Sequence, residues 1–474
     1  MDDKLLYQSL LSVVAITLIQ MLRLSLIKPK VRLPPVPWKL PVIGSMHHLV
    51  NVLPHRALSD LAGVHGPLMM LQLGETPLVV VSSKEMARKV LKTHDANFAT
   101  RPKLLGGEIL RQLCAAEILS PRRVFTFRPI REQETASAVE RVRAAAVTSS
   151  APVDLSALFH SLSNGIVARA SFGNVQRNAD EFLSATKAGV VLTSGFKIPD
   201  LFPTWRPVLA AVTGMRRALE QVHRTVDATL EDIIKERRDV RDGTTTDAEE
   251  ENLVDVLIGL QERGGLGFDL TEQSIKAVIF DMFAAGTGTL SSALSWGVSE
   301  LMRNERATVT EADVASASGG LPYLKLVIKE TLRLHPPAPL LVPRESVDAC
   351  EIDGYTIPAK SRVVVNAWAI GRDPECWGDD AGEFRPERFE NSVVDFNGSS
   401  SEYLPFGAGR RMCPGIAYGL PVLEMVLVQL LYHFDWSLPD GVAEVDMAEA
   451  PGLGVRRKSP LLLCATPFVV VPAE

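Results

Sequence analysis

One cysteine, Cys413, lies in a run of residues whose types suit a metal-bound thiolate. The run "FGAGRRMCPG", from Phe406 to Gly415, places glycines on both sides of the cysteine and two arginines before it. Glycine allows close backbone approach, so that amide groups can face the sulfur, and a helix beginning just after it would add its positive end. No Cys-x-x-Cys pair or set of histidines accompanies it, which argues against a structural zinc site. The pattern favours a cofactor that brings its own remaining ligands.

Three predicted helices must position this loop. The first, from about Ile416 to His433, follows the cysteine directly. The longest proline-free helical pattern covers Asp269–Arg303, with Asp269 as the predicted cap, and would measure roughly 50 Å. Its middle, "FAAGTGTLSS", contains two glycines that each cost about 1 kcal/mol relative to alanine. Either a ligand lies against this backbone or a neighbouring helix packs closely on it, and the pattern alone favours the second.

A further helix is predicted in "GLPYLKLVIKETLRLHPP", which ends at two prolines. Its Glu330 and Arg333 are three residues apart and can pair, although such a pair is usually an exposed one worth under about 1 kcal/mol. Strands are predicted in "PLMMLQLGETPLVVVSS", "CEIDGYTIP" and "SRVVVNAW". Most segments from Val124 to Arg238 have helical spacing, so helix dominates the chain.

Composition indicates a globular protein with a large core. The chain has 474 residues, of which 46% are hydrophobic and 22% charged, and its net charge of −6 gives no sign of a nucleic-acid partner. Five cysteines scattered over this length do not suggest a secreted disulfide framework and favour a reducing compartment.

The N-terminal segment predicts a membrane anchor. Residues 5–22 form an uncharged stretch of eighteen residues, close to the roughly 20 that span a bilayer core. Basic residues follow it and acidic ones precede it, which places the bulk of the chain on the cytoplasmic side. An apolar helix docked on the domain is the alternative. The four prolines of "LPPVPWKLPVIG", residues 33–44, predict either a stiff hinge that orients the domain on the membrane or an ordinary linker.

Four motifs together resemble one enzyme family. "FGAGRRMCPG" matches Phe-x-x-Gly-x-Arg-x-Cys-x-Gly, the haem-thiolate signature of the cytochrome P-450 monooxygenases, at every fixed position. Glu330-Thr-Leu-Arg333 matches Glu-x-x-Arg, "FRPERF" supplies Arg388, and the long helix carries the glycine-threonine segment. The resemblance extends over essentially the whole chain and is greatest to the plant microsomal type, with a grass specialised-metabolism subgroup as the narrower prediction.

This resemblance implies a mainly α fold with a small β subdomain and an N-terminal transmembrane helix. It divides the chain into an anchor with its basic flank (1–32), a proline-rich hinge (33–44) and a haem-thiolate catalytic domain (45–474). The cofactor would be haem b, with four ring nitrogens and one axial protein bond to the iron, made by Cys413.

The resemblance also implies roles for other residues. The remaining positions expected to contact the haem are Phe406 beside the ligand loop, Arg411 and Arg344 on the propionates, and Gly415. The oxygen-binding groove would comprise Ala285, Gly286 and Thr289, with the threonine hydroxyl supporting proton delivery. A buried ion-pair triad would comprise Glu330, Arg333 and Arg388. Phe283, Ala284 and Leu341 are candidate substrate-pocket walls, although each also suits ordinary core.

The implied function is a single-pass endoplasmic-reticulum enzyme with a cytosolic catalytic domain. It would take electrons from NADPH–cytochrome reductase and insert one oxygen atom of O2 into an apolar plant metabolite, with a terpenoid as the first expectation. The implied partners are that reductase, the lipid bilayer and the small-molecule substrate, with no nucleic acid.

Three departures from the family pattern keep alternatives open. Gly288 stands where an acid usually precedes the threonine, so one proton-relay member is missing. Residues 98–124 contain no tryptophan for the usual Trp-x-x-x-Arg helix, of which Arg111 could be the edge, and the stretch between Asn304 and Gly320 is short. The first departure favours a haem-thiolate isomerase or dehydratase without external electrons. The two shortenings favour a truncated, non-catalytic variant.

Overall fold

The computed structural model describes residues 31–100, 121–148, 151–173, 179–192, 196–241, 252–264, 269–304, 322–450, 452 and 454–468. The predictions for the membrane anchor, for Arg111 in the tryptophan-free stretch and for the short stretch after Asn304 fall mainly or wholly outside these residues.

Helices carry most of the described chain, as predicted. In chain order they are α1 Pro54–His65, α2 Lys84–Arg88, α3 Asp95–Phe98, α4 Pro121–Thr126, α5 Arg128–Thr148, α6 Leu155–Phe172, α7 Ala179–Leu192, α8 Ile198–Leu201, α9 Arg206–Val212, α10 Met215–Arg241, α11 Leu253–Arg263, α12 Glu272–Arg303, α13 Pro322–Leu334, α14 Ala367–Ile370, α15 Pro374–Trp377 and α16 Ile416–His433. The helix predicted directly after the cysteine is therefore confirmed as α16.

Short strands form small sheets beside the helices. The strands are β1 Leu68–Leu73, β2 Thr76–Val81, β3 Val153–Asp154, β4 Arg344–Glu345, β5 Cys350–Ile352, β6 Tyr355–Ile357, β7 Arg362–Val365, β8 Phe434–Ser437, β9 Glu449–Ala450, β10 Arg456–Arg457 and β11 Leu462–Pro467. The largest sheet has the order β1-β2-β7-β4, in which β2 and β7 are parallel. The strands predicted in "PLMMLQLGETPLVVVSS" are confirmed as the antiparallel pair β1–β2.

The long helix α12 runs through the largest buried cluster, where it packs against α6, α16 and α13. Its 32 residues give it a length of about 48 Å. The predicted cap at Asp269 is wrong, because Thr271 caps the helix by accepting a hydrogen bond from the Ser274 amide. The carbonyl of Leu270 instead accepts from Gln261 Nε2 at 2.7 Å, which holds the chain outside the helix up to this point.

The proline-rich hinge lies alongside β1 and contacts the domain. The Met70 amide donates to the Pro35 carbonyl at 2.9 Å, and Gly44 forms a bridge to Leu73. Prolines suit this edge position because it requires few amide donors from them. The orienting role of the hinge stays a prediction.

A buried carboxylate fastens α1 to the C-terminal strands. Glu449 Oε2 lies 2.9 Å from His55 Nε2 and accepts from Arg56 Nε at 3.0 Å. Burial alone would raise the pKa of Glu449, but hydrogen bonds from His55 and Arg56 outweigh it and lower this pKa to about 2.

Two helices of the described residues are long and apolar enough to cross a bilayer, namely α12 and α16. Both contribute to the largest buried cluster, which is where core helices of a folded domain lie.

Candidate functional site

The loop that carries Cys413 is a compact turn between a buried segment and α16. The Cys413 amide donates to the Phe406 carbonyl at 2.9 Å, which closes the loop on itself. Residues Gly409–Arg411 form a 3₁₀ turn inside it, and α16 begins three residues after the cysteine. Cys413 is exposed to the interior cavity described below and forms no disulfide with another cysteine of the described chain.

Two glycines of the loop have backbone conformations that disfavour other residues. Gly407 and Gly409 both have φ of 70°. At Gly407 an added Cβ would make only an ordinary contact, 3.6 Å from a Leu341 methyl. At Gly409 it would lie 2.1 Å from the Leu91 carbonyl oxygen, where no atom fits. The second glycine of the motif therefore allows the loop to press against the segment that contains Leu91.

A cavity of about 960 Å³, open mouth included, lies over the cysteine. The segment Phe406–Gly415, called the cysteine loop below, contributes Phe406, Cys413, Pro414 and Gly415 to the lining of the cavity. Helix α16 contributes Tyr418 among others. Most of the remaining lining is apolar, including Phe127, Val167, Ala170 and Leu332. Its apolar walls are typical of a site for a cofactor or small molecule.

One face of α12 lines the same cavity. The residues on it recur at helical spacing and are Met282, Ala285, Gly286, Thr289, Leu290 and Ala293. The structure therefore brings the three predicted groove residues together with Cys413, Phe406 and Gly415.

The two glycines in the middle of α12, Gly286 and Gly288, have different surroundings, and the helix is continuous through both. A Cβ on Gly286 would meet a Val167 methyl at 3.0 Å, so this glycine allows α6 to approach closely, as the packing alternative predicts. A Cβ on Gly288 would meet no atom within 4 Å. The Thr289 hydroxyl donates to the Ala285 carbonyl at 2.5 Å, and this bond must open before the hydroxyl can donate elsewhere.

Phe283, Ala284 and Leu341 do not line the cavity, so none of them is one of its walls, and the ordinary-core alternative is confirmed for Phe283. Phe283 lies one position off the cavity face of α12 and is 2% exposed among Phe172 and Phe182, with ring centroids 5.1 and 5.0 Å away. Leu341 packs against the cluster around the β1–β2–β7 sheet.

Arg344 lies beside the cysteine loop and Arg411 lies within it, and neither is among the residues that line the cavity. Arg344 is 5% exposed and donates through Nη2 to the Ala408 carbonyl at 3.0 Å. Arg411 Nε donates to the Ala99 carbonyl at 2.5 Å. Both guanidinium groups are thus held close to the loop by backbone oxygens, and their contact with a propionate stays a prediction.

The predicted triad forms a buried network, so the exposed-pair alternative is wrong. Glu330 accepts from Arg333 Nε and Nη2, both at 2.7 Å, and from Arg388 Nε at 2.9 Å. Arg333 Nη1 donates to the backbone carbonyls of Gly371 and Ala381. The second hydrogen on Nη2 is donated to the backbone carbonyl of Glu383. All five donors of this 1% exposed guanidinium are therefore satisfied.

The cavity fits the predicted cofactor. A single sulfur at the edge of an apolar space, with no second cysteine, histidine or carboxylate among the described residues that line it, suits a metal that brings its remaining ligands with it. No group of three or more His, Cys, Asp or Glu side chains in the described ranges could hold a bare ion.

The chain belongs to the cytochrome P450 family. The Cytochrome P450 family model matches residues 34–109 and 107–465. The match divides within the tryptophan-free stretch, as expected if that stretch is shortened.

The relatives are plant enzymes. The chain is 47% identical over 472 residues to premnaspirodiene oxygenase of Hyoscyamus muticus, covering 92% of this chain and 93% of that one. It is 46% identical to desmethyl-deoxy-podophyllotoxin synthase of Sinopodophyllum hexandrum, covering 92% of each chain, and 44% identical to germacrene A hydroxylase of Barnadesia spinosa, again covering 92% of each. The grass subgroup stays a prediction.

Solved structures confirm the fold. A zebra fish cytochrome P450 with progesterone has a TM-score of 0.71, and one with abiraterone has 0.69. Both are 24% identical in sequence, and each match covers 88% of this chain and 100% of the other. The chain is therefore a P450 monooxygenase with a mainly α fold, and its family implies a haem cofactor, a redox partner and a small-molecule substrate.

The sequence patterns did not reveal many of the residues at the site. Met282, Leu290 and Ala293 could have been found by extending the helical stripe of the groove residues in both directions. Asp95 contacts the cysteine loop, but no sequence pattern indicated this contact, because an acid in a short polar segment predicts only an exposed residue.

Proposed function

We propose that this chain binds haem b through Cys413 and inserts one oxygen atom of O2 into an apolar plant metabolite. NADPH–cytochrome reductase would supply the electrons. The observation that supports this most is the shared cavity, which Cys413 lines together with the Ala285, Gly286 and Thr289 face of α12. Haem with a thiolate ligand supplies oxygen activation, because the electron density of the sulfur favours O–O cleavage.

The residues of this chain would bind, orient and exclude water around that centre. Apolar walls such as Val167 and Leu290 favour a substrate without charge and keep water out. Thr289 would position a proton at its hydroxyl once the bond to Ala285 opens. Arg344 and Arg411 would pair with the propionates, and the Glu330 network would hold the core behind the cofactor.

The substrate we favour is a terpenoid. The names of two relatives, premnaspirodiene oxygenase and germacrene A hydroxylase, describe oxygenation and hydroxylation of terpenes. The apolar lining of the cavity supports a substrate of that polarity.

We place the chain on the endoplasmic-reticulum membrane with the catalytic domain in the cytosol. Besides the predicted anchor, exposed apolar side chains support this placement, and they are Trp38, Val42, Trp205, Val208 and Val212. They flank the β1–β2 turn, since Gly74 donates to the Ile43 carbonyl and Glu75 to the Leu201 carbonyl. Tryptophan and clustered apolar residues are favoured at a bilayer interface.

The test is turnover of candidate terpenoids by the full-length chain in membranes, with isotope-labelled O2, NADPH and the reductase. We expect one labelled oxygen atom per product molecule and no product from Cys413→Ser. Label-free product, or product formed equally without NADPH, would contradict monooxygenation.

A haem-thiolate isomerase or dehydratase is the second candidate. Gly288 favours it, because the position of the usual acid carries no side chain and is surrounded by open space. Product formation that continues without reductase and NADPH would support this candidate over the first.

A further inference from the structure

Asp95 lies between Arg410 of the cysteine loop and Arg344 of strand β4. It begins the short helix α3, and its side chain is 12% exposed. One carboxylate oxygen, Oδ2, accepts from the Arg410 backbone amide at 2.9 Å. The other, Oδ1, accepts from Arg344 Nη1 at 3.3 Å. A single carboxylate therefore contacts both the cysteine loop and strand β4.

The contact with the loop falls where the loop has the least freedom. Arg410 is in the 3₁₀ turn three residues before Cys413. The same turn presses on the Leu91 carbonyl through Gly409, and Arg411 Nε donates to the Ala99 carbonyl. Residues 91–99 therefore contact three successive residues of the turn, 409, 410 and 411. The hydrogen bond to Asp95 is charge-assisted, which makes it stronger than a hydrogen bond between neutral groups.

The contact with Arg344 sets the position of a buried cation. Arg344 is 5% exposed, and its Nη2 donates to the Ala408 carbonyl of the cysteine loop. Removing the Asp95 carboxylate would take a counter-charge from this buried guanidinium, which is costly in a low-dielectric environment. The guanidinium and the loop would then loosen together.

We propose that Asp95 is a positioning residue for the haem-thiolate centre: its carboxylate fixes the turn before Cys413 and holds Arg344 in its orientation beside the loop. This role rests on the proposed haem-thiolate function. It acts through Arg410 and Arg344, not by contact with the reacting atoms.

The experiment compares Asp95→Ala and Asp95→Asn with the unaltered full-length protein and a matched control. The control is Asp353→Asn, because Asp353 pairs with Lys89 at 2.6 Å and so joins the same segment to the β5–β6 hairpin, away from the cysteine loop. Two quantities are measured on each purified holoprotein: the position of the carbon-monoxide Soret band after reduction, and the rate of haem transfer to excess apomyoglobin. Thermal midpoints are recorded alongside.

We expect Asp95→Ala to release haem on the order of tenfold faster, since a hydrogen bond to a charged group is lost and the buried Arg344 loses one counter-charge. A fraction of its carbon-monoxide complex should move from the thiolate position to that of a protonated or displaced sulfur. Asp95→Asn keeps an acceptor for the Arg410 amide but loses the charge. It should therefore keep the thiolate band and release haem at an intermediate rate, while Asp353→Asn behaves as the unaltered protein.

The proposal is overturned if Asp95→Ala keeps both the band position and the haem-release rate of the control, even if its thermal midpoint falls. If Asp95→Ala does not accumulate as folded protein, Asp95→Asn decides: faster haem release supports the role and unchanged release overturns it. If the unaltered chain itself shows no thiolate band, the proposed function is wrong, and the positioning role is wrong with it.

Discussion

Adding one methyl group to each of two glycines measures how tightly the cysteine loop is pressed onto its neighbour. Gly407→Ala and Gly409→Ala place a Cβ in the same left-handed conformation, with φ of 70°, two residues apart. This conformation costs an L-residue roughly 1–2 kcal/mol, and both variants bear that cost. The pair therefore differs only in what the new methyl contacts.

The surroundings predict unequal effects. At Gly407 the methyl makes ordinary contact at 3.6 Å, whereas at Gly409 it would overlap the Leu91 carbonyl oxygen at 2.1 Å. A carbonyl is backbone and cannot rotate away, so the loop and residue 91 must separate. Forcing an extra methyl into a packed site typically costs about 1–3 kcal/mol. We therefore expect Gly409→Ala to be less stable than Gly407→Ala by about that amount.

The assay is urea unfolding of the purified full-length variants, followed by circular dichroism and by loss of the reduced carbon-monoxide thiolate band. The urea midpoint of Gly409→Ala should be lower than that of Gly407→Ala by both signals. In Gly409→Ala the carbon-monoxide band should be lost at a lower urea concentration than the circular dichroism signal, because the methyl displaces the cysteine loop. Unfolding free energies that agree within about 0.5 kcal/mol, the usual scatter of neutral surface changes, would refute the close approach.

Three further predictions address the network, the proton relay and pH. Glu330→Gln should lower the free energy of unfolding by about 3–5 kcal/mol in urea, since two buried arginines lose their counter-charge, while Glu220→Gln in an exposed pair should change it by less than about 1 kcal/mol. Gly288→Asp should raise product formed per NADPH if a missing acid limits proton delivery, and Gly288→Ala is its control; equal yields would contradict that explanation. Because the folded pKa of Glu449 is depressed to about 2 from an ordinary value near 4.3, its carboxylate stabilises the fold above that ordinary pKa, and the advantage is lost as pH falls toward 2. The thermal midpoint of Glu449→Gln should therefore approach that of the unaltered protein in acid, and a gap that stays constant with pH would contradict this pairing.

The cysteine loop could be predicted from sequence because its residue types are set by local requirements. The close backbone approach at Gly409 and the helix directly after the cysteine both follow from adjacent residues. The triad was predictable only through the family resemblance. Spacing alone indicated an exposed pair, and the burial of Glu330 and Arg333 comes from segments around residues 371–388 that spacing does not relate to α13.

The errors arose where tertiary packing decides. Phe283 is apolar and adjacent to the groove, but a helix turns by about 100° per residue, so one position moves a side chain from the cavity to the core. Asp269 had a suitable cap sequence, yet the buried Leu270 and its bonded carbonyl delay the helix to Thr271. Asp95 was missed because its partners lie some 250 to 315 residues later in the chain.

The most direct test is the carbon-monoxide difference spectrum of the reduced full-length chain beside its Cys413→Ser variant. Ligation of haem iron by the Cys413 thiolate predicts a band at the thiolate position in the unaltered protein and none in the variant. An identical band in both would show that another residue holds the iron. Absence of the band from the unaltered protein would instead support a variant that does not retain haem.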